Sequence, residues 1–212
     1  MKIESPVLSG SHVRLEPLAH RHIEGLSRIV VGNDALYQWT IVPRGRTETG
    51  PYVDAALAMR DAGTAVPYVT VRQADGAVIG CTRFFDLLRW DWPSGHERHA
   101  GTVPDVGEIG YTWLAPDAIR TAANTEAKFL MLTQAFEGWK MLRICLNTHA
   151  KNTRSQAAIE RIGGKFEGII RASRLAPDNT PRDSARYSIV APEWPAVKQR
   201  LQGLLSKLRG EV

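Results

Sequence analysis

Apolar positions along the 212-residue chain recur with two different periods, and the places where the period changes divide it into elements. Residues 12–17, His-Val-Arg-Leu-Glu-Pro, alternate as a strand does and stop at proline. Residues 20–31 and 49–62 carry helical spacing; His20-Arg21-His22 reads as a solvated helix start, and the second helix stops at Gly63. Val66–Arg72 and Ala77–Leu88 read as two strands joined around Asp75-Gly76, a pair suited to a type I′ turn. The polar and aromatic stretch 89–106 is longer than an ordinary connection, which marks it as a functional or disordered loop.

Beyond it the pattern predicts a strand over Glu108–Leu114, halted by Ala115-Pro116. A helix over Asn124–Lys140 follows, with Ala127, Leu130, Met131, Gln134, Ala135 and Trp139 at helical spacings. Next come a strand at Leu142–Thr148, a helix at Asn152–Ile162 closed by Gly163-Gly164, and a strand at Lys165–Arg174. A turn at Pro177–Thr180, a strand at Arg182–Val190 and a C-terminal helix within 192–212 complete the list. Strands alternating with helices predict an α/β protein: a mixed sheet of about seven strands with helices on both faces. No repeat or linker divides the chain, so one domain over 1–212 is expected.

Composition narrows the picture. Hydrophobic residues at 43% and charged ones at 23% are ordinary globular values, which argues against disorder. No run approaches the ~18 apolar residues of a membrane-spanning helix, so no membrane partner is expected. The start, Met1–Pro6, has no apolar signal-peptide core, so the expected location is cytoplasmic. Cys81 and Cys145 lie in apolar, strand-like surroundings and read as two buried reduced thiols rather than a disulfide framework or zinc site. Net charge is +5, and residues 118–174 hold ten Lys/Arg against four Asp/Glu, so this one segment carries the excess. That placement suits an anionic ligand, and equally a solvated basic surface. The basic residues are spread through periodic apolar sequence rather than clustered with exposed aromatics, which argues against nucleic acid.

The chemistry gathers in 108–164. A strand is followed at once by Arg120-Thr121-Ala122-Ala123-Asn124-Thr125-Glu126 and a helix. A helix N-terminus presents unpaired N–H groups and partial positive charge, which bind phosphate, and small side chains let a pyrophosphate approach. Asn124 or Thr125 is the expected cap, with Glu126 in the first turn. Asn147 lies near the end of the next strand, and Asn152 is placed to cap the following helix with Ser155 at its third position.

The series of strand, small-residue turn, long helix, strand, Asn-x-x-Ser, short helix and Gly-Gly resembles the GNAT acyltransferase superfamily. More narrowly it resembles the RimJ/RimL-type branch. The resemblance rests on Glu108-Ile109-Gly110-Tyr111-Thr112-Trp113-Leu114, Arg120 to Lys128, Asn152 to Gly163 and Phe166-Glu167-Gly168. Leu8 to Pro17 and Arg182 to Ser188 also fit, so it covers most of the chain. It implies a GNAT-like fold, a mostly antiparallel sheet with a central splayed parallel pair, and an acetyl-CoA-dependent N-acetyltransferase. Backbone groups of Tyr111, Thr112, Trp113 and Leu114 would pair with the pantetheine arm. Amides of Arg120, Thr121, Ala122, Ala123, Asn124 and Thr125 would hold the pyrophosphate, and Asn147, Asn152 and Ser155 would flank the thioester. The turn departs from the family pattern, Gln/Arg-x-x-Gly-x-Gly/Ala before Thr-Glu-Ala. Counted from Ile119 it has Ala122 where glycine is usual; counted from Arg120 it has Ala123 and Thr125 in the small positions.

Acetyl transfer to an amine needs a neutral amine. Freeing a lysine of pKa ~10.4 at pH 7 costs about 4.6 kcal/mol, and an α-amine of pKa ~7.8 about 1 kcal/mol. An α-amine of a protein N-terminus or amino-acid-like molecule is therefore the expected acceptor. Glu108 is the candidate base, against a solvated strand-edge acid. Ser155, with Tyr111 as alternate, is the candidate acid toward the thiolate, against plain capping and core packing. The 89–105 loop is expected to border the acceptor, with Trp90, Trp92 and His96 reading it. His96-x-x-His99 lacks a nearby third ligand, so no metal is expected. A non-catalytic acyl-CoA-binding module and a homodimer both remain compatible with the sequence.

Overall fold

A computed structural model describes residues 3–29 and 34–208. One eight-stranded sheet runs β1 (Leu8–Ser9), β2 (Val13–Pro17), β3 (Ala65–Arg72), β4 (Val78–Leu88), β5 (Val106–Leu114), β6 (Arg143–His149), β8 (Pro181–Val190) and β7 (Lys165–Leu175). Every neighbouring pair is antiparallel except β5 and β6, which are parallel. The strand beyond the seven expected is β1, a two-residue pair of Leu8 with Leu15 and Ser9 with Arg14, too short to show a period.

Helices α1 (Ile23–Ser27) and α2 (Gly45–Asp61) lie on one face. There Leu26, Val53, Ala56 and Leu57 pack on Val69, Val71, Cys81 and Trp113. Helices α3 (Ala122–Thr133), α4 (Thr153–Arg161) and α5 (Trp194–Leu208) cover the other face, where Met131, Leu132, Ile159, Val197 and Leu201 meet Leu15, Tyr68, Phe84, Ile144 and Tyr187. Alternation within a strand sends successive side chains to the two layers. The layer under α1 and α2 reaches only to Trp113 of β5. Past it, the same face of β6 and β8 presents Asn147, Arg182, Ser184 and Arg186, aligned by the pairing of Asn147 with Arg186.

Several expected boundaries move. The first helix opens as a 3-10 turn over His20–His22, and His22 is buried at 6% exposure rather than solvated, with Nδ1 accepting the Ala19 N–H at 3.1 Å. Its continuation to 31 falls partly outside the described residues, as do 209–212 of the C-terminal helix. Helix α2 begins at Gly45, a turn early, because the Glu48 carboxylate takes the Arg44 N–H at 2.9 Å. Between β3 and β4 only Gly76 has positive φ (72°), so the turn is not type I′, which needs two such residues. Helix α3 begins at Ala122, and its cap is Thr121, whose hydroxyl accepts the Ala123 N–H at 3.2 Å, in place of Asn124 or Thr125. Its last turn, Gln134–Gly138, widens to a π-helix. Both cysteines are free and buried. Among the described residues no helix is long and apolar enough to cross a membrane, and no group of three or more His, Cys, Asp or Glu could hold a metal.

Candidate functional site

Strands β5 and β6 pair over three rungs only: Val106 with Arg143, Gly107 with Ile144 and Glu108 with Cys145. Beyond Glu108 they separate, and the edge of β5 from Ile109 to Leu114 that turns away from β4 has no strand partner among the described residues. A bulge lies in this free stretch. Cys81 pairs with Trp113 and Arg83 with Gly110, so Thr82 faces both Tyr111 and Thr112, and Tyr111 takes a left-handed φ of 49°. Bulges re-aim side chains and are frequent beside active sites.

Glu108 stands at the root of the fork and is only 6% exposed, so it is not a solvated edge acid. Its Oε2 accepts from Asn147 Nδ2 at 2.6 Å and from Arg174 Nη2 at 3.0 Å. Burial pushes its pKa up from the ordinary carboxylate value, against the pull of Arg174 and Asn147. Arg174 also reaches Asp86 at 2.6 Å. Tyr111 packs edge-on against Phe85, 5.0 Å between ring centres, with the Arg83 guanidinium 3.9 Å from its centroid.

At the open end of the fork, Arg120 is exposed and holds a φ of 65°, the one left-handed residue of the turn. Ala122 and Ala123 are already helical, so neither needs the freedom of glycine. Thr125 is fully buried, and its hydroxyl accepts from Arg161 Nη2 at 2.9 Å, which ties α3 to α4. Asn152 caps α4, its side chain accepting the Ser155 N–H at 3.1 Å. The Ser155 hydroxyl itself forms no hydrogen bond among the described residues. Two amide oxygens, Asn147 Oδ1 and Asn124 Oδ1, are buried without partners among the described residues. An orphaned acceptor beside the fork, a free strand edge and a small-residue helix start together suit a ligand with amide groups and an anionic tail.

Two parts of the site were not visible in the sequence. Segment 34–39 bridges the arms of the fork. Tyr37 donates its hydroxyl to the Leu114 carbonyl at 2.7 Å, Arg154 reaches the Leu36 carbonyl at 2.7 Å, and the Trp39 ring lies 4.3 Å from that of His149. Beside α4 it borders a cavity of about 210 Å³ lined by Leu36, Gln38, Trp39, Asn152 and Arg154 among others. The second is Glu126, which is buried and accepts the backbone N–H groups of Ser11, His12 and Val13 at 2.9, 2.6 and 2.7 Å. A Cβ on Gly10 would come within 2.3 Å of that carboxyl. Glu126 thus locks β2 onto α3 rather than stabilising a helix start.

The 89–105 loop is braced from inside. Buried Asp105 accepts from Trp90 N, Trp92 Nε1 and Arg98 Nη1 at 2.8, 3.0 and 3.1 Å. Trp92 stacks on His96 at 4.2 Å, and His99 contacts the Trp92 carbonyl at 2.7 Å. Trp90 remains half exposed. No hydrogen bond or ring contact joins Trp90, Trp92 or His96 to Glu108 or Tyr111 among the described residues. The basic segment also divides: Lys165 pairs with Glu193 and Arg143 with Glu167, while Lys128 is buried on the α3 face.

A family model described as an acetyltransferase (GNAT) domain matches residues 12–165. No curated protein matches the chain. Among solved structures, a GCN5-related N-acetyltransferase from Brucella melitensis is 29% identical, with TM-score 0.80 over 96% of this chain and 86% of that one. Mycobacterium smegmatis RimJ in complex with a CoA-disulfide shares the fold at 22% identity and TM-score 0.74, over 93% and 91% of the two chains. RimL, a ribosomal L7/L12 alpha-N-protein acetyltransferase in complex with coenzyme A, shares it at 16% and 0.69, over 87% and 98%.

Proposed function

The chain belongs to the GNAT acetyltransferase family, and from that premise we propose that it moves the acetyl group of acetyl-CoA directly onto a primary α-amine. The acceptor in this reading is a protein N-terminus or an amino-acid-like small molecule. The observation that carries it is the fork: β5 and β6 part immediately after Glu108, which leaves a free strand edge next to a buried carboxylate.

Acetyl-CoA supplies the activated thioester. Backbone groups of Thr112, Trp113 and Leu114 line the arm of the coenzyme, and a strand N–H near Trp113 polarises the thioester carbonyl. Exposed Arg120 and the N–H groups at the start of α3, other than the Ala123 N–H that the Thr121 hydroxyl takes, hold the pyrophosphate. Asn147 accepts from an amide of the arm, with Asn152 and Ser155 on its other side. Glu108 takes the proton from the amine as its nitrogen bonds to the carbonyl carbon. When the C–S bond breaks, Ser155 or Tyr111 returns a proton to the thiolate. The raised pKa of Glu108 moves it toward that of an α-amine, which makes it a better-matched base than an exposed glutamate. The braced 89–105 loop forms a wall of the acceptor side, with exposed Trp90 facing outward and Trp92 and His96 stiffening it.

Calorimetry with coenzyme A tests the cleft. Thiol release across N-terminal peptides, free amino acids, polyamines and aminoglycosides tests the reaction. Folded protein that gives neither heat with coenzyme A nor thiol release with any amine rejects the proposal. A second reading, a non-catalytic acyl-CoA-binding module, is favoured by one observation: the Thr121 hydroxyl already occupies the Ala123 N–H that a phosphate would use. That reading expects binding without turnover.

A further inference from the structure

The open face beside the fork holds more positive charge than its acids balance. Arg174 is neutralised, by Asp86 at 2.6 Å and Glu108 at 3.0 Å. Its cross-strand partner on β8 is Arg182, and like charges directly opposite in a sheet repel. The Arg182 side chain has no hydrogen bond or ion pair among the described residues, and its Nε is buried without a partner there. Arg83 is 4% exposed and meets no carboxylate among the described residues. Its polar neighbours are Met59 Sδ at 3.5 Å and the Tyr52 hydroxyl, and its guanidinium is stacked on Tyr111. Arginine does not shed its proton inside proteins, so neither group can relieve its desolvation by becoming neutral. An anion arriving from outside can relieve both. Arg182 lies within electrostatic reach of Glu108 and Tyr111, the two candidate catalytic side chains.

We propose that the acceptor amine carries a carboxylate a few bonds from its nitrogen, that Arg182 receives this carboxylate, and that Arg83 strengthens the field from beside Tyr111. The assignment rests on the acetyltransferase reading and narrows it to acidic acceptors. A guanidinium presents paired N–H donors matched to a carboxylate, so binding there orients the amine as well as attracting the molecule. The carboxylate belongs either to a free α-amino acid or to an acidic first residue of a peptide.

The test measures kcat/KM in matched pairs. Free amino acids are compared with their carboxamides, and amide-capped peptides beginning with Asp or Glu with ones beginning with Asn or Gln. The expected result is at least a tenfold preference for the carboxylate member in one of the two sets, and the set in which it occurs identifies the source. Arg182→Gln, on the open face, reduces that preference to below threefold by raising the acceptor KM, and Arg182→Lys restores part of it. Arg83→Met gives a smaller loss in the same direction, and where burial makes that variant fail to fold, the Arg182 pair decides alone. Equal rates for acid and amide in the wild type, or a preference that survives Arg182→Gln, overturn this assignment and leave the acetyltransferase standing. Coenzyme binding without turnover of any amine overturns both.

Discussion

Two cations are buried on opposite faces of the same pair of strands, and they manage their burial differently. Lys128 of α3 reaches the face of β4 and β5 that bears Thr82 and Thr112, donating to their hydroxyls at 3.2 and 2.7 Å. Arg83, one residue along β4 from Thr82, points to the other face, between Tyr52 and Tyr111. Neither has a carboxylate partner among the described residues. Lysine can respond by losing its proton, and burial brings its pKa down to about 7. Arginine cannot, so its charge stays and acts on whatever enters the neighbouring cleft. The lysine face is closed by α3, which makes Lys128 a support for the bulge at Tyr111 and Thr112. The arginine face opens beyond Trp113 onto the fork. A lone buried charge in a sealed layer is thus a matter of stability, whereas one beside an open layer is a matter of binding.

Changes on the open face should have the largest effects. Glu108→Gln is expected to lower kcat by ~10²–10⁴-fold, the range of a lost general base. In the wild type, kcat/KM should fall as pH drops through a value above the ordinary glutamate range, because burial raises the Glu108 pKa and only the ionised form accepts a proton. A pH–rate profile measured for both proteins checks this, since the variant should lose that acid limb. An unchanged limb would assign it to another group.

On the closed face the effects fall on stability. The folded pKa of Lys128 is about 7 and the unfolded one ~10.4, so the unfolded chain binds more protons between those values. Wild-type stability should therefore rise with pH across that window and be fully penalised below it. Lys128→Met is expected to raise Tm by roughly 5 °C at pH 6 and by progressively less toward pH 10. Thermal melts at both ends measure it, and a gain independent of pH would contradict the lowered pKa. Thr112→Val removes the shorter of the lysine's two hydrogen bonds and is expected to lower stability by about 1–2 kcal/mol, read from urea unfolding. The smallest effect belongs to Thr121→Ala. Loss of this cap lowers stability by about 1 kcal/mol. The same change frees the Ala123 N–H, so calorimetry should show coenzyme A binding retained or slightly tighter.

Much of the fork could be read from the chain. The strand carrying Glu108, the strand ending near Asn147 and the Asn152–Ser155 cap are local patterns, and the structure places all three around the gap. Lys128 left a trace as well: it sits between Ala127 and Met131 on the apolar stripe of its helix, where a solvated lysine does not belong. Arg83 left a similar one, flanked at two-residue spacing by Cys81 and Phe85 on the inward face of a strand. Nothing local marks Tyr37 as the donor to Leu114, or Glu126 as the acceptor for Ser11, His12 and Val13. Those bonds join positions 77 or more than a hundred residues apart. The bulge at Tyr111 was equally hidden, because a bulge is a relation between two strands rather than a property of one.

Periodicity, turn residues and caps by themselves determined the order of strands and helices, since these depend on neighbours within four residues. Which of two arginines would be balanced, which lysine would be sealed away from water, and where two parallel strands would part were decided only when distant segments packed together. Charge balance and desolvation depend on what surrounds a group in space, and along the chain Arg174 and Glu108 stand 66 residues apart while in the fold they touch.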